Sequence, residues 1–149
     1  MTLSLARAGM RRASYLYLGV GLMQACYLPY TAIVFHSRGF GVESIGLISA
    51  MNAMIALTAA PIWGHLGDAT LGRAAAFRLS LLLSATGVAL FAFGPLDGIP
   101  GATLSAFAGA GIVPLLDAIG MERLAATGGQ WGPLRALTSG SYATACIAS

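Results

Sequence analysis

Ala13-Ser-Tyr-Leu-Tyr-Leu-Gly-Val-Gly-Leu-Met-Gln-Ala-Cys-Tyr-Leu-Pro-Tyr-Thr-Ala-Ile-Val-Phe35 carries no charged side chain. A hydrocarbon core about 30 Å thick needs roughly 20 apolar residues when each adds about 1.5 Å of helix. This stretch meets that length. Arg7, Arg11 and Arg12 precede it. A secretory leader also opens on basic residues, but its apolar core is only about 7–15 residues long and ends at a small-residue cleavage site. The run here is longer and no such site follows. It reads as a retained first transmembrane helix over residues 13–35.

Further runs of the same kind follow. A polar turn with Gly39 and Gly41 leads to a second charge-free run over 44–63. A loop carrying His65, Asp68 and Arg73 leads to a third over 74–93, with Arg78 near enough to its start to snorkel to the interface. Gly94, Pro95, Asp97, Gly98 and Pro100 form a tight connection to a fourth over 103–124, which Pro114 and Asp117 interrupt. After a Gly-rich polar stretch from Ala126 to Pro133, a fifth run opens at Leu134 and reaches Ser149 short of a full span. The reading is a bundle cut inside its fifth helix.

Composition agrees. Of 149 residues, 57% are hydrophobic and 9% charged, against roughly 25% charged in soluble domains. So few charges cannot clothe a water-facing surface, and lipid is the expected partner. Backbone groups in lipid must be satisfied within a helix or a closed barrel. Barrel strands would be about ten residues long and alternating, so long unpatterned runs mean helices. The fold class is an all-α polytopic transmembrane helix bundle. Small residues four apart (Gly46 and Ala50, Ser105 and Gly109, Ala106 and Ala110) offer close helix contacts. Tyr15, Tyr17 and Trp63 read as interfacial belt residues.

The arginines set an orientation. With the N-terminus in the cytoplasm, Arg7, Arg11, Arg12, Arg73, Arg78, Arg123 and Arg135 lie inside and Arg38 alone outside. Beside a transmembrane helix, the first three are topology determinants and not a nucleic-acid patch. Cys26 and Cys146 sit in apolar runs and read as small hydrophobes. No CxxC, His/Cys cluster, HExxH or nucleophile–base pair occurs, so neither a metal, a cofactor nor an enzyme is expected.

The loop Pro61-Ile62-Trp63-Gly64-His65-Leu66-Gly67-Asp68-Ala69-Thr70-Leu71-Gly72-Arg73 departs from an ordinary interfacial turn. Gly64 allows a tight helix exit, Asp68 can accept from an Arg or sit at a helix N-terminus, and Arg73 anchors the next helix. This resembles the G-x-L-x-D-x-x-G-R-[KR] loop of the major facilitator superfamily through Gly64, Leu66, Asp68, Gly72 and Arg73. One extra residue lies between Asp68 and Gly72, and Ala69 stands where the family places a basic residue. The resemblance continues through Tyr27-Leu28-Pro29-Tyr30, Glu43-Ser44-Ile45-Gly46, Pro61-Ile62-Trp63-Gly64, Pro114-Leu115-Leu116-Asp117-Ala118, Gly132-Pro133-Leu134-Arg135 and Gly140-Ser141-Tyr142, which are similar to the lactose permease and phenylpropionate permease branch. It implies the incomplete N-terminal half of a twelve-helix fold, whose remaining C-terminal helices would be partners of this part.

Asp117 is the only acidic residue inside an expected span. A carboxylate there costs at least about 2.5–3.5 kcal/mol unless a cavity or partner receives it. Arg135, on the facing cytoplasmic half of the next helix, is the expected partner. The resemblance implies that Asp117 and Arg135 bind substrate polar groups and that Tyr142 stacks on a ring. Gln24, Tyr27 and Thr31, spaced three and four apart, share one face beside Pro29, and Gln24 and Tyr27 are expected to line the cavity. Asn52 reads either way, as a lining residue or as an interhelical hydrogen bond. Gly64, Asp68, Gly72 and Arg73 form the expected conformational loop. The resemblance further implies a secondary transporter of a small organic solute, working by alternating access and proton symport in a bacterial cytoplasmic membrane. The alternative is a truncated or accessory small membrane protein with no transport activity of its own.

Overall fold

A computed structural model of the protein describes the backbone of residues 2–94, 97–127 and 131–148, and side chains within these from residue 13 onward except 126 and 127. The expected roles of the Arg7, Arg11 and Arg12 side chains, of Pro95, of the side chains of 126 and 127, of residues 128–130 and of Ser149 lie outside the described residues.

The five apolar runs are all helical. The first is α1, Thr2–Tyr27, followed by a short α2, Thr31–Ser37. The single helix expected over 13–35 is thus interrupted. Pro29 is the physical reason: it has no N–H to give a carbonyl four residues back, and it crowds the preceding turn. The second run is α3, Val42–His65, the third α4, Arg73–Phe93, the fourth α5, Ile99–Thr127, and the fifth α6, Trp131–Ala148. Among the described residues, four helical stretches are long and apolar enough to cross a membrane: Ala13–Ser37, Val42–Thr70, Arg73–Phe93 and Ile99–Ala125. The protein is a multi-pass helical membrane bundle. Pro114 sits inside α5 without ending it, whereas Pro100 is accommodated in its first turn, where the missing N–H costs nothing.

The chain forms two units, one of Met1–Leu28 with Leu116–Ser149 and one of Pro29–Leu115. In the second, α4 meets the first half of α5 through small residues. Ser80, Ser84 and Gly87 of α4 and Ser105 and Ala108 of α5 are buried. A Cβ on Gly87 would lie 2.5 Å from the Ser105 nitrogen and 2.9 Å from the Gly101 oxygen, so the two backbones touch. The pair Ser105 and Gly109 does lie in this contact, and Gly101 extends it by one turn. Gly46 and Ala50 do not behave as expected. Both are exposed, and a Cβ on Gly46 would meet nothing within 4 Å. Four-residue spacing of small residues therefore marks one helix contact among the described residues, and at Gly46 and Ala50 none is seen there.

Aromatic and polar anchors complete this unit. Trp63 is 1% exposed, its Nε1–H donating to the Phe107 carbonyl at 2.8 Å. Its ring packs where Gly111 lacks a side chain. The belt assignment of Trp63 is therefore corrected: a buried neighbour and not the interface satisfies its N–H. Asn52 Oδ1 accepts from Thr103 Oγ1 at 3.2 Å, so its side chain serves an interhelical bond. Arg38 donates through Nη2 to the Phe91 carbonyl at 2.6 Å and the Ala92 carbonyl at 3.2 Å. A cation at the last carbonyls of α4 complements the helix dipole. The guanidinium also lies 5.2 Å from the Phe91 ring centroid. Beneath it, Phe91 and Phe35 meet edge to face, their centroids 5.2 Å apart.

Large apolar side chains line the exposed face of α3, with Leu47, Met51, Met54 and Leu57 all more than half exposed. In water such a face would be costly. Against lipid tails it needs no cover.

Candidate functional site

Two Asp–Arg pairs stand out, one in each unit. The first is built where α1, the second half of α5 and α6 converge. A Cβ on Gly21 would run into the Thr138 carbonyl oxygen and Ser141 Oγ, which brings α1 and α6 into backbone contact. Thr138 Oγ1 donates to the Tyr17 carbonyl at 3.1 Å. Tyr17 and Gly21 thus meet Thr138 and Ser141 in ascending order, so α1 and α6 run in the same direction.

Arg135 lies one turn before Thr138 on α6, and its Nη1 pairs with Asp117 Oδ2. The other carboxylate oxygen, Oδ1, accepts from the Tyr17 hydroxyl at 2.9 Å. The Asp117 side chain is 16% exposed and that of Arg135 41%. Tyr17 is 1% exposed. The Arg135 guanidinium also sits 5.7 Å from the Trp131 ring centroid, close enough for a cation–π attraction. One carboxylate thus holds two donors from two other helices. It keeps about two of its four lone-pair positions for a further donor, and Arg135 keeps N–H groups for an acceptor. The arrangement can hold neighbouring hydroxyls, or a hydroxyl beside a carbonyl.

The expected partnership of Asp117 and Arg135 is present in this geometry. Tyr142 stands apart from it, half-buried two turns beyond Arg135, with its hydroxyl beside Cys146. Two turns of helix advance about 10 Å and return to nearly the same face. Gln24 is likewise half-buried two turns beyond Tyr17. Since the two helices run in the same direction, Gln24 and Tyr142 both lie further along from the Asp117 pair. Tyr27 is half-buried at the end of α1. The face expected to join Gln24, Tyr27 and Thr31 is not continuous. The helix breaks between Tyr27 and Thr31, so the three-and-four spacing holds only for the first two.

Tyr17 is the residue that sequence reasoning misassigned. An aromatic near the start of a membrane helix reads as a belt residue, and Tyr15, 70% exposed, faces outward as such a residue does. Tyr17 points inward because a carboxylate receives its hydroxyl. A signal was present: Tyr17, Gln24 and Thr31 recur every seven residues, a polar stripe on an otherwise apolar run.

The second pair lies in the loop after α3. No loop begins at Gly64, contrary to expectation. The helix continues to His65 and passes into a π-helical turn, Leu66–Thr70. A Cβ on Gly64 would meet nothing within 4 Å. The chain turns instead at Gly72, whose φ is +77°, a conformation that L side chains rarely adopt. Arg73, the first residue of α4, reaches back with Nε 2.8 Å from Asp68 Oδ1. The Asp68 and Arg73 side chains are 62% and 34% exposed. Gly67 is buried, and a Cβ there would come 2.7 Å from Leu115 Cδ2. Asp68, Gly72 and Arg73 act together in this geometry, and Gly64 does not join them.

Nothing among the curated proteins and nothing among the solved structures matches the chain. A protein family does: the family described as MFS_1 like family matches residues 14–149, which takes in every described helix except the start of α1. The protein therefore belongs to the MFS_1 like family, within the major facilitator superfamily, whose members are membrane transporters and not enzymes.

Proposed function

We propose that the protein is a proton-coupled symporter of a small, ring-bearing organic solute in a bacterial cytoplasmic membrane, with its N-terminus in the cytoplasm. The observation that carries this reading is the Asp117 carboxylate, held inside the helices by Tyr17 and Arg135. A charge in a membrane helix is costly, so a transporter keeps one where a substrate or an ion needs it. Asp117 and Arg135 bind substrate polar groups. Gln24, Tyr27 and Tyr142, further along α1 and α6, line the path beside them, and Tyr142 offers a ring face for stacking. Transport follows alternating access, in which two helix bundles rock about a site near the midplane. The Asp68–Arg73 pair with Gly72 latches α3 to α4 in one of the two states. The orientation is supported by the excess of arginine assigned to the cytoplasmic side, Arg38 alone lying opposite.

The test uses the complete gene product in proteoliposomes, with and without an imposed pH gradient. Radiolabelled lactose, uridine and 3-phenylpropionate represent a sugar, a nucleoside and an aromatic acid. Gradient-driven uptake of one of them, lost in Asp117→Asn, supports the proposal. Asp117→Asn protein that takes up the same solute at the same rate and affinity overturns the site. Uptake indifferent to the gradient overturns the coupling.

A further inference from the structure

We infer that Tyr17 is the positioning residue for Asp117, seated in a notch that Gly120 leaves open. The inference deepens the reading of Asp117 as a substrate-binding group and rests on it for its functional meaning.

Three observations converge. Tyr17 is held at its backbone, because its carbonyl accepts from Thr138 and the next turn of its helix is in contact with α6 at Gly21. Its ring is therefore delivered to a fixed place. At that place, Gly120 lies one turn beyond Leu116 and Asp117 on α5. A Cβ on Gly120 would stand 2.7 Å from the Tyr17 hydroxyl oxygen and 3.5 Å from the ring carbons Cε2 and Cζ. The ring would tolerate that contact and the hydroxyl would not. The missing side chain at 120 thus makes room for one oxygen atom in particular. That oxygen then donates to Asp117 Oδ1 at 2.9 Å, with the Leu116 carbonyl as a longer second acceptor at 3.4 Å.

The consequence for Asp117 is mechanical. Arg135 alone would hold one carboxylate oxygen and leave the group free to rotate about its Cβ–Cγ bond. With Tyr17 on the other oxygen, both ends are held and the carboxylate plane is fixed. The remaining lone pairs then point in set directions before a ligand arrives, so that less ordering remains for binding to supply.

The test needs no known substrate. Dicyclohexylcarbodiimide, an apolar reagent that couples to carboxyl groups, is added to the complete gene product in membranes, and modification of Asp117 is followed by mass spectrometry. In the native protein the Tyr17 hydroxyl takes one side of Oδ1 and holds the carboxylate plane, so reagent attacking at Oδ1 competes with that donor. Tyr17→Phe frees Oδ1 while keeping the ring, and labelling is expected to rise about tenfold, the worth of one hydrogen bond to a charged group. Gly120→Ala, which pushes the hydroxyl away, is expected to do the same. The double variant Tyr17→Phe/Gly120→Ala is expected to label no faster than Tyr17→Phe, since both changes remove one bond. Labelling of Tyr17→Phe at the native rate, or additive effects in the double variant, overturns the positioning role. A loss of packing alone would make the effects add. The two failures are separable: Asp117→Asn with intact uptake removes the substrate reading, whereas carbodiimide labelling indifferent to Tyr17 removes the positioning.

Discussion

The protein holds the same two side chains together twice, and the two settings have little in common. Asp68 and Arg73 lie five residues apart in a turn, both accessible, with one carboxylate oxygen engaged. Asp117 and Arg135 come from different helices, the carboxylate is largely enclosed, and both its oxygens are taken. An exposed ion pair contributes about 0.2–1 kcal/mol, because water already solvates each charge well. The Asp117 carboxylate is largely enclosed although Arg135 is 41% exposed. Removing its cation leaves an enclosed acceptor short of a partner, at about 1–3 kcal/mol. Each pair also has a glycine beside it, used differently. Gly72 provides a backbone angle and Gly120 provides space. The first pair is built to come apart cheaply and the second is not, which suits a latch and a binding site respectively.

The largest expected effect is at Arg135. Arg135→Ala leaves the largely enclosed Asp117 carboxylate with one donor fewer, and thermal unfolding in detergent should show a loss of about 1–3 kcal/mol, the cost of leaving an enclosed acceptor short of a partner. Asp68→Ala measured beside it should cost under about 1 kcal/mol, its carboxylate being 62% exposed. Equal losses would erase the distinction between the pairs. Next comes Tyr17→Phe, for which the apparent KM for uptake should rise about tenfold with the maximal rate held, as expected when a group that orients a ligand-binding carboxylate is lost.

Gly72→Ala should then destabilise by about 1–2 kcal/mol, the cost of a left-handed backbone for an L residue. Gly64→Ala should be neutral or stabilising by up to about 1 kcal/mol, because that position is helical and open. A larger loss at Gly64 than at Gly72 would mean the turn has been placed wrongly. Smallest is the response to salt. Raising ionic strength from 0.1 M to 1 M shortens the screening length from about 10 Å to about 3 Å. It should remove the difference between Asp68→Asn and native protein and leave that between Asp117→Asn and native protein unchanged.

These contrasts show which parts of the molecule could be read from sequence. The helices could, since a run of apolar residues long enough for lipid has few other homes. Their boundaries shifted by only a few residues, from 44–63 to Val42–His65 and from 74–93 to Arg73–Phe93. The Asp117–Arg135 pair was also legible, because a carboxylate in a span demands a partner. What hydropathy cannot report is which way a uniformly apolar helix faces. A soluble helix announces its buried side by a polar opposite side, and a helix between lipid and protein is apolar on both. Tyr17 and Trp63 were misplaced for that reason. The break at Pro29 and the unbroken helix through Gly64 show a second limit. Both residues permit a bend, and only their neighbours decide whether one forms.

The division into two units bears on how the protein is made. Pro29–Leu115 is continuous in sequence, whereas the other unit is assembled from Met1–Leu28 and Leu116–Ser149. A ribosome adding about 5–20 residues per second delivers Asp117 on the order of 5–20 s after Tyr17, from which it is separated by 100 positions. Arg135 follows 18 positions later, on the order of 1–4 s at the same rate. For that interval the carboxylate lacks its cation, and Tyr17 lacks the Thr138 contact that holds its backbone. A nascent chain stalled between these residues therefore holds the Asp117 carboxylate without its cation.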